Sequence, residues 1–400
     1  MKKAIWGAFL VLILVLGLGL LLAACGGEET TTTTAAAAGP DTTTATTAAS
    51  TTTAAPTTAT TARPTNTFEL KFSYHTPPQA SIVGYYFNPW CAAIEKATNG
   101  QVKITQYAGG SLAKEADQYD AVNSGLCDMG LVIPASTPGA FPQMEYAELP
   151  YMFPDAGVGA AVYWDILQKY GAEEDFKDVV VLGVVCIAPA QYVGNVPIAN
   201  VEDFAGKRIR NDGSMEAKVV QALGATPVEI PTSELVPSLE RGMADGCFLT
   251  WSAVFSFGVA DITKNRTKCD IFYRVWPIVI NKSVWDSLGS EIQAEIMSVS
   301  GQAASVHYSE MNEGDAFGTM KGLEGQDKGA GKPAIVMLTD EQKASWKAKL
   351  MPLWDEWAAS IPTGADIIAD IAAGVQKYSA EFPSTTTTMG STETTEAPRN

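Results

Sequence analysis

One order of elements occurs twice in this chain, and the repetition constrains the fold more than any other feature. Phe68-Glu69-Leu70-Lys71-Phe72-Ser73-Tyr74 alternates as a half-buried strand does. A Thr76-Pro77-Pro78 turn leads into a helical stretch through Trp90, Ile94 and Ala97 that ends at Asn99-Gly100. Gln101 to Thr105 reads as a second strand, and Ser111 as the cap of a helix carrying Leu112, Ala116, Tyr119 and Val122. Leu126 to Ile133 is a third, apolar strand stopped by Pro134. The same β-α-β-α-β order returns as Lys207–Arg210, Met215–Leu223, Thr226–Ile230, Ser233–Arg241 and Met243–Leu249. Gly125-Leu126-Cys127-Asp128-Met129 even sits against Gly242-Met243-Ala244-Asp245-Gly246. Strands separated by helical crossovers pair in parallel, so each unit predicts a parallel sheet. Two units predict two similar α/β lobes with a ligand at the carboxyl ends of their strands. The alternative is a coincidental echo within one large α/β domain.

Beyond Pro277 the pattern turns helical. Ser290-Glu291-Ile292-Gln293 fits a capping box opening a long segment towards Lys328, and Thr339-Asp340-Glu341-Gln342 fits another. Trp346, Leu350, Leu353, Trp354 and Trp357 follow at helical spacing, which predicts a stripe packing against the lobes.

The two ends are chain of another kind. Lys2 and Lys3 precede an apolar run from Ala4 that stops at Leu22-Ala23-Ala24-Cys25. A charged start, an apolar stretch and small residues before a cut mark a secretory signal. With Cys after the cut, the stretch resembles a lipoprotein signal over residues 1–24. That resemblance implies cleavage, acylation of Cys25 and a chain tethered to a membrane outside the cytoplasm, in the periplasm or on the outer cell surface. An uncleaved spanning helix is the alternative, since the run is long enough to cross a bilayer; it too leaves the remainder extracytoplasmic. After Cys25, residues to Thr67 are mostly Thr, Ala, Ser, Pro and Gly, and residues 384–400 repeat that bias. Such segments bury too little surface to offset ordering entropy, so a tether (25–67) and a tail (384–400) should flank a folded body over 68–383.

The formal charge of −17 excludes a phosphate-backbone partner, which needs a basic face. Two histidines, His75 and His307, offer little for a zinc site, and no metal or other cofactor is expected. Cys91, Cys127, Cys186, Cys247 and Cys269 show no CxxC and read as small buried apolar residues, although export would permit disulfides. Gly157-Val158-Gly159-Ala160-Ala161-Val162 approximates a dinucleotide fingerprint, but it follows a Pro-Asp turn, not a strand. Gly331-Lys332-Pro333 has Pro where a phosphate loop needs Ser or Thr, and no GxSxG occurs. These absences describe a binder, not an enzyme.

Asn195-Val196-Pro197-Ile198-Ala199-Asn200-Val201-Glu202-Asp203-Phe204-Ala205-Gly206-Lys207-Arg208-Ile209-Arg210, with Leu223-Gly224-Ala225-Thr226-Pro227-Val228 and Arg241-Gly242-Met243-Ala244-Asp245-Gly246, resembles the solute-binding subunit of TRAP (tripartite ATP-independent periplasmic) transporters. Thr98-Asn99-Gly100-Gln101-Val102-Lys103-Ile104, Gly109-Gly110-Ser111-Leu112 and Glu148-Leu149-Pro150-Tyr151 match the same family, in the expected order. The resemblance implies a two-lobed, periplasmic-binding-protein-like α/β fold (type II-like) with long C-terminal helices. Lobe I would span about 68–190 and lobe II about 191–280, joined by crossing strands and a long helix. It also implies small and large membrane subunits as partners and an organic acid as ligand. A receptor for an ABC importer or a chemosensory system on the same fold is the alternative; an exported enzyme on this scaffold is a further one.

In that family an arginine at the end of the Ile-Arg strand clamps the ligand carboxylate, and Arg210 occupies that place. A guanidinium fork matches a carboxylate bidentately. Departures from the family shape the ligand expectation. Sialic-acid-type members carry Gln-Glu-Asn after the Asp-Gly pair, where this chain has Cys247-Phe248-Leu249, and their second arginine is replaced around Ala190-Gln191-Tyr192. Polar anchors give way to apolar wall, so the expected solute is a monocarboxylate with an apolar or aromatic body. Phe248, Trp251, Tyr74, His75 and Tyr192 are further candidate contacts.

Overall fold

The computed structural model describes residues 67–382; the expected signal with Cys25, the tether up to residue 66 and the tail lie outside the described residues. In chain order the elements begin with β1 (Phe68–Ser73), α1 (Asn88–Ala97), β2 (Val102–Tyr107), α2 (Gln118–Asn123) and β3 (Met129–Leu131). Next come α3 (Ala156–Ile166), β4 (Val179–Ile187) and β5 (Gln191–Gly194). The second unit is β6 (Arg208–Asn211), α4 (Ser214–Ala222), β7 (Thr226–Glu229), α5 (Leu235–Glu240) and β8 (Gly246–Leu249). There follow α6 (Trp251–Ser256), α7 (Val259–Ile262), β9 (Asn265–Lys268) and β10 (Arg274–Asn281). Last are α8 (Lys282–Ser298), α9 (Gly301–Gly329), β11 (Val336–Met337), α10 (Asp340–Leu350), α11 (Pro352–Ser360) and α12 (Gly364–Glu381).

The strands form two sheets of matching order, β2-β1-β3-β10-β4 and β7-β6-β8-β5-β9-β11. In each, the first three strands are the parallel βαβαβ core, and the fourth joins the third antiparallel. The added strands exchange lobes. β4 lies in the first sheet, and β5, after a three-residue link, lies in the second; β9 lies in the second and β10 returns to the first. The connections run side by side, with Ala190 N–H donating to Phe272 O at 2.9 Å and Ile271 N–H to Ala190 O at 3.0 Å. Within the span expected for the second lobe, β10 is hydrogen-bonded between β3 and β4 of the first sheet, while β11 returns much later to pair with β9 in the second.

Helix α9 covers the open edge of β4. Val184, Cys186 and Ala188 donate their N–H groups to Ser305 Oγ, Ser309 Oγ and Asn312 Oδ1 at 2.9, 2.9 and 2.6 Å. Two strand residues rise about 6.6 Å and four helix residues about 6 Å, which matches the first step; the second step spans only three helix residues, and there the longer Asn312 side chain replaces serine. The edge loses its capacity to pair with another chain. Further along α9, Ala316, Met320 and Leu323 pack with Trp251, Val254 and Val259 of the second lobe. Asp327 closes the helix with a buried ion pair to Arg266 of β9 at 2.6 Å. One helix thus holds both lobes.

Thr339 and Gln342 form the expected reciprocal capping box. The tryptophan stripe also packs: Trp346 Nε1 donates to Ala199 O and Trp354 Nε1 to Pro150 O, while Trp357 meets Tyr146 edge-on. One helix start and the extent of another helical segment differ from expectation. Ser111 caps nothing, because Gly109 and Gly110 take φ of +67° and +70° and the helix begins only at Gln118 after a short 3-10 turn. The segment from Ser290 divides at Val299-Ser300, and Gly289 (φ +78°) breaks α8 immediately before the expected box. All five cysteines from Cys91 onward are buried and unpaired, as expected of small apolar fillers.

Candidate functional site

β1, β6 and β8 all end at one cleft between the sheets. A cavity of about 80 Å³ opens there, walled by His75 after β1, Asp212 after β6, Phe248 on β8, and Phe272, Arg274 and Trp276 at the second crossing. This is the position an α/β sheet reserves for ligand, outside the carboxyl ends of its strands.

Two arginines converge on one carboxylate at the wall. Arg210 is fully buried. Its Nε donates to Ile230 O at 2.9 Å and its Nη2 to Thr232 Oγ1 at 3.1 Å, and its Nη1 lies 2.7 Å from Asp212 Oδ2. Arg274 grips the same carboxylate bidentately, Nη1 to Oδ2 at 3.0 Å and Nη2 to Oδ1 at 2.6 Å. Nη2 also donates to Glu216 Oε2 at 2.7 Å, and Nε lies 3.5 Å from Glu148 Oε1. Burial opposes ionisation of Asp212, but Arg210 and Arg274 outweigh it and hold that carboxyl well below the usual range. Glu216 goes the other way: burial, then the Asp212 charge beside it, push it well above its ordinary value. Of the two, Glu216 is the carboxyl that more readily holds a proton. Burial likewise raises Glu148 to about 7, with Arg274 only partly opposing. His75 is held below its ordinary value by burial, against the pull of Glu115 and Asp212. Its Nε2 is 4.0 Å from Glu115 Oε2, and its ring meets Trp276 edge-on at 5.2 Å.

Of the candidates from sequence, His75 and Phe248 stand on this wall. Arg210 lies behind it; its partners Asp212 and Thr232 line the cavity in its place. Trp251 turns into a separate cavity of about 580 Å³ bounded by α9 and the crossing segments, with Phe317 and Met320. That cavity is larger, yet its lining includes neither arginine of the pair nor the carboxyl ends of β1, β6 and β8. Tyr74 is packed among Phe72 and Phe87 in the first lobe, its hydroxyl donating to Gln106. Tyr192 is buried against Gly246, its hydroxyl donating to Val196 O. Both tyrosines are core residues and lie off the cavity wall. Sequence reasoning missed Arg274 and Asp212. A lone arginine inside the apolar run from Ile271 to Ile280 was the available signal for the first.

The family model described as bacterial extracellular solute-binding protein, family 7, matches residues 72–360. The C4-dicarboxylate-binding periplasmic protein DctP of Rhodobacter capsulatus is 28% identical over 296 residues, covering 70% of this chain and 83% of that protein. A TRAP solute-binding protein from Rhodoferax ferrireducens, solved with benzoate, superposes with a TM-score of 0.74 at 23% identity, covering 79% of this chain and 99% of that one. A marine-metagenome TRAP solute-binding protein described as specific for aromatic acids, solved with 3-hydroxybenzoate, gives 0.72 at 26% identity over 78% and 99%.

Proposed function

The chain belongs to family 7 of the bacterial extracellular solute-binding proteins, as a TRAP-type subunit that works with membrane permease subunits, and we propose that its solute is an organic monocarboxylate with an apolar, aromatic body. The make-up of the cavity wall carries this reading. Phe248, Phe257, Phe272 and Trp276 supply rings, and Arg274 is the single charged cation among the described lining residues, since burial keeps His75 neutral. A second carboxylate on the ligand would meet rings, the hydroxyls of Thr232 and Thr250, or the acids Asp212 and Glu115, and no second guanidinium or ammonium among the described lining residues. An anchored anion with an apolar body suits how small-ligand sites are built. The likeness to an aromatic-acid receptor supports the same choice. Closure would be a ligand-driven shift between open and closed lobes, with the paired crossing segments as the pivot.

Cys25 follows Leu22-Ala23-Ala24, and we keep it as the lipid-bearing first residue of the mature chain. Thermal shift and calorimetry with benzoate, 3-hydroxybenzoate and succinate test the solute. At a hundred times its dissociation constant the bound acid should add about 2.7 kcal/mol to stability. Benzoate or its hydroxy form should bind at least about tenfold tighter than succinate, a margin of about 1.4 kcal/mol. Tighter succinate binding would overturn the monocarboxylate reading.

A further inference from the structure

Asp212 already occupies the place that a ligand carboxylate needs. Its oxygens make the bidentate pair with Arg274, and one of them also reaches Arg210, a geometry a carboxylic acid would itself adopt. Asp212 also stands on the cavity wall, whereas Arg210 does not. Asp212 follows the last residue of β6, and Gly213 comes next, at the start of α4.

We propose that Asp212 is a resident counter-carboxylate, which the incoming acid displaces from Arg274, so that capture is an ion-pair exchange accompanied by uptake of a proton. This rests on the reading that the solute is a carboxylate. The exchange makes and breaks only ion pairs and hydrogen bonds, and the proton comes from solvent.

Charge balance requires it. The groups facing Asp212 are Arg210 on β6, Glu216 on α4, Arg274 on β10 with Glu148 at its Nε, and His75 with Glu115 across the cavity. With Glu216 set aside, because burial and the Asp212 charge favour its protonated form, the two guanidinium groups face Asp212, Glu148 and Glu115, so the free site has no surplus positive charge. An added ligand anion puts one more negative charge inside the protein, where an unbalanced ion is costly. A proton on Glu148 or on the displaced Asp212 offsets that added charge. Glu148 lies near its titration point at neutral pH, so the proton is cheap there. The sign follows: binding that takes up a proton weakens as pH rises.

Calorimetry with benzoate in phosphate and in Tris counts the protons. Wild type should take up about one at pH 7.5, and its affinity should fall about tenfold per pH unit above that. Asp212→Asn should bind benzoate about tenfold tighter at pH 8, take up no proton and lose the pH dependence, since the neutral amide removes the carboxylate that the ligand would otherwise displace. Wild-type binding without proton uptake from pH 7 to 8 overturns the exchange and leaves the solute reading standing. So does an Asp212→Asn protein that melts like wild type but binds more weakly. If neither protein binds benzoate, 3-hydroxybenzoate or succinate, the solute reading falls and takes this inference with it. The wild-type proton count decides the matter even if the variant fails to fold.

Discussion

The two βαβαβ units agree down to single hydrogen bonds and differ in what they direct at the cleft. In the first, Lys71 N–H donates to Asp128 Oδ2 at 2.7 Å, and Asp128 N–H returns a bond to Lys71 O at 3.1 Å. In the second, Arg208 N–H donates to Asp245 Oδ2 at 2.8 Å, and Asp245 N–H to Arg208 O at 2.7 Å. Gly125 and Gly242 end the preceding helices at φ of +77° and +67°. The registers correspond as well: Phe72 and Ser73 face Met129 and Gly130, and Ile209 and Arg210 face Gly246 and Cys247. Ser73 and Arg210 are therefore equivalent positions, one a small hydroxyl and the other a buried guanidinium. Backbone satisfaction forces the scaffold to repeat. No such demand fixes the side chain at the end of the central strand, and there the second unit acquired its chemistry.

The largest break in this comparison is Arg210→Ser, which gives the second unit the first unit's residue. It strips Asp212 of one cation and leaves Ile230 O without its donor. Calorimetry should show about 2–5 kcal/mol of benzoate binding lost, and urea unfolding about 3–5 kcal/mol of stability. Affinity within a factor of about three (0.65 kcal/mol) would place the asymmetry elsewhere. Next come Asp128→Ala and Asp245→Ala. Each removes a charge-assisted bond to a backbone N–H, so urea unfolding should register about 1.5–2 kcal/mol for both. The ion pair of Asp245 to exposed Arg208 at 3.3 Å adds little. A gap beyond about 1 kcal/mol would show that the matched bonds carry different loads. The smallest effects belong to Gly125→Ala and Gly242→Ala. An added Cβ meets nothing within 4 Å at either site, so the cost is the positive φ alone, about 1 kcal/mol each.

How much of this was legible depended on the range of the interaction. Both parallel units, the Thr339 box and the packing role of Trp346 and Trp357 could be read because strand alternation, capping and helical spacing act over a few residues. The start of α2 escaped, since consecutive left-handed glycines overrode a good capping residue at Ser111. The sheet to which β10 belongs was not legible, because nothing local distinguishes a strand that changes sheets. Tyr74 and Tyr192 sat beside strand ends in sequence, yet alternation turned their rings into the cores.

The sequence by itself determined the repeated scaffold, the family to which it belongs and the position of Arg210 at the end of a central strand. Tertiary structure alone decided what Arg210 faces. Asp212 and Arg274 lie 62 residues apart and meet only because the crossing carries β10 back beneath the second lobe's strand ends. A strand or a cap is fixed by neighbours along the chain, whereas the charge of a closed site is fixed by whichever distant groups the fold buries together.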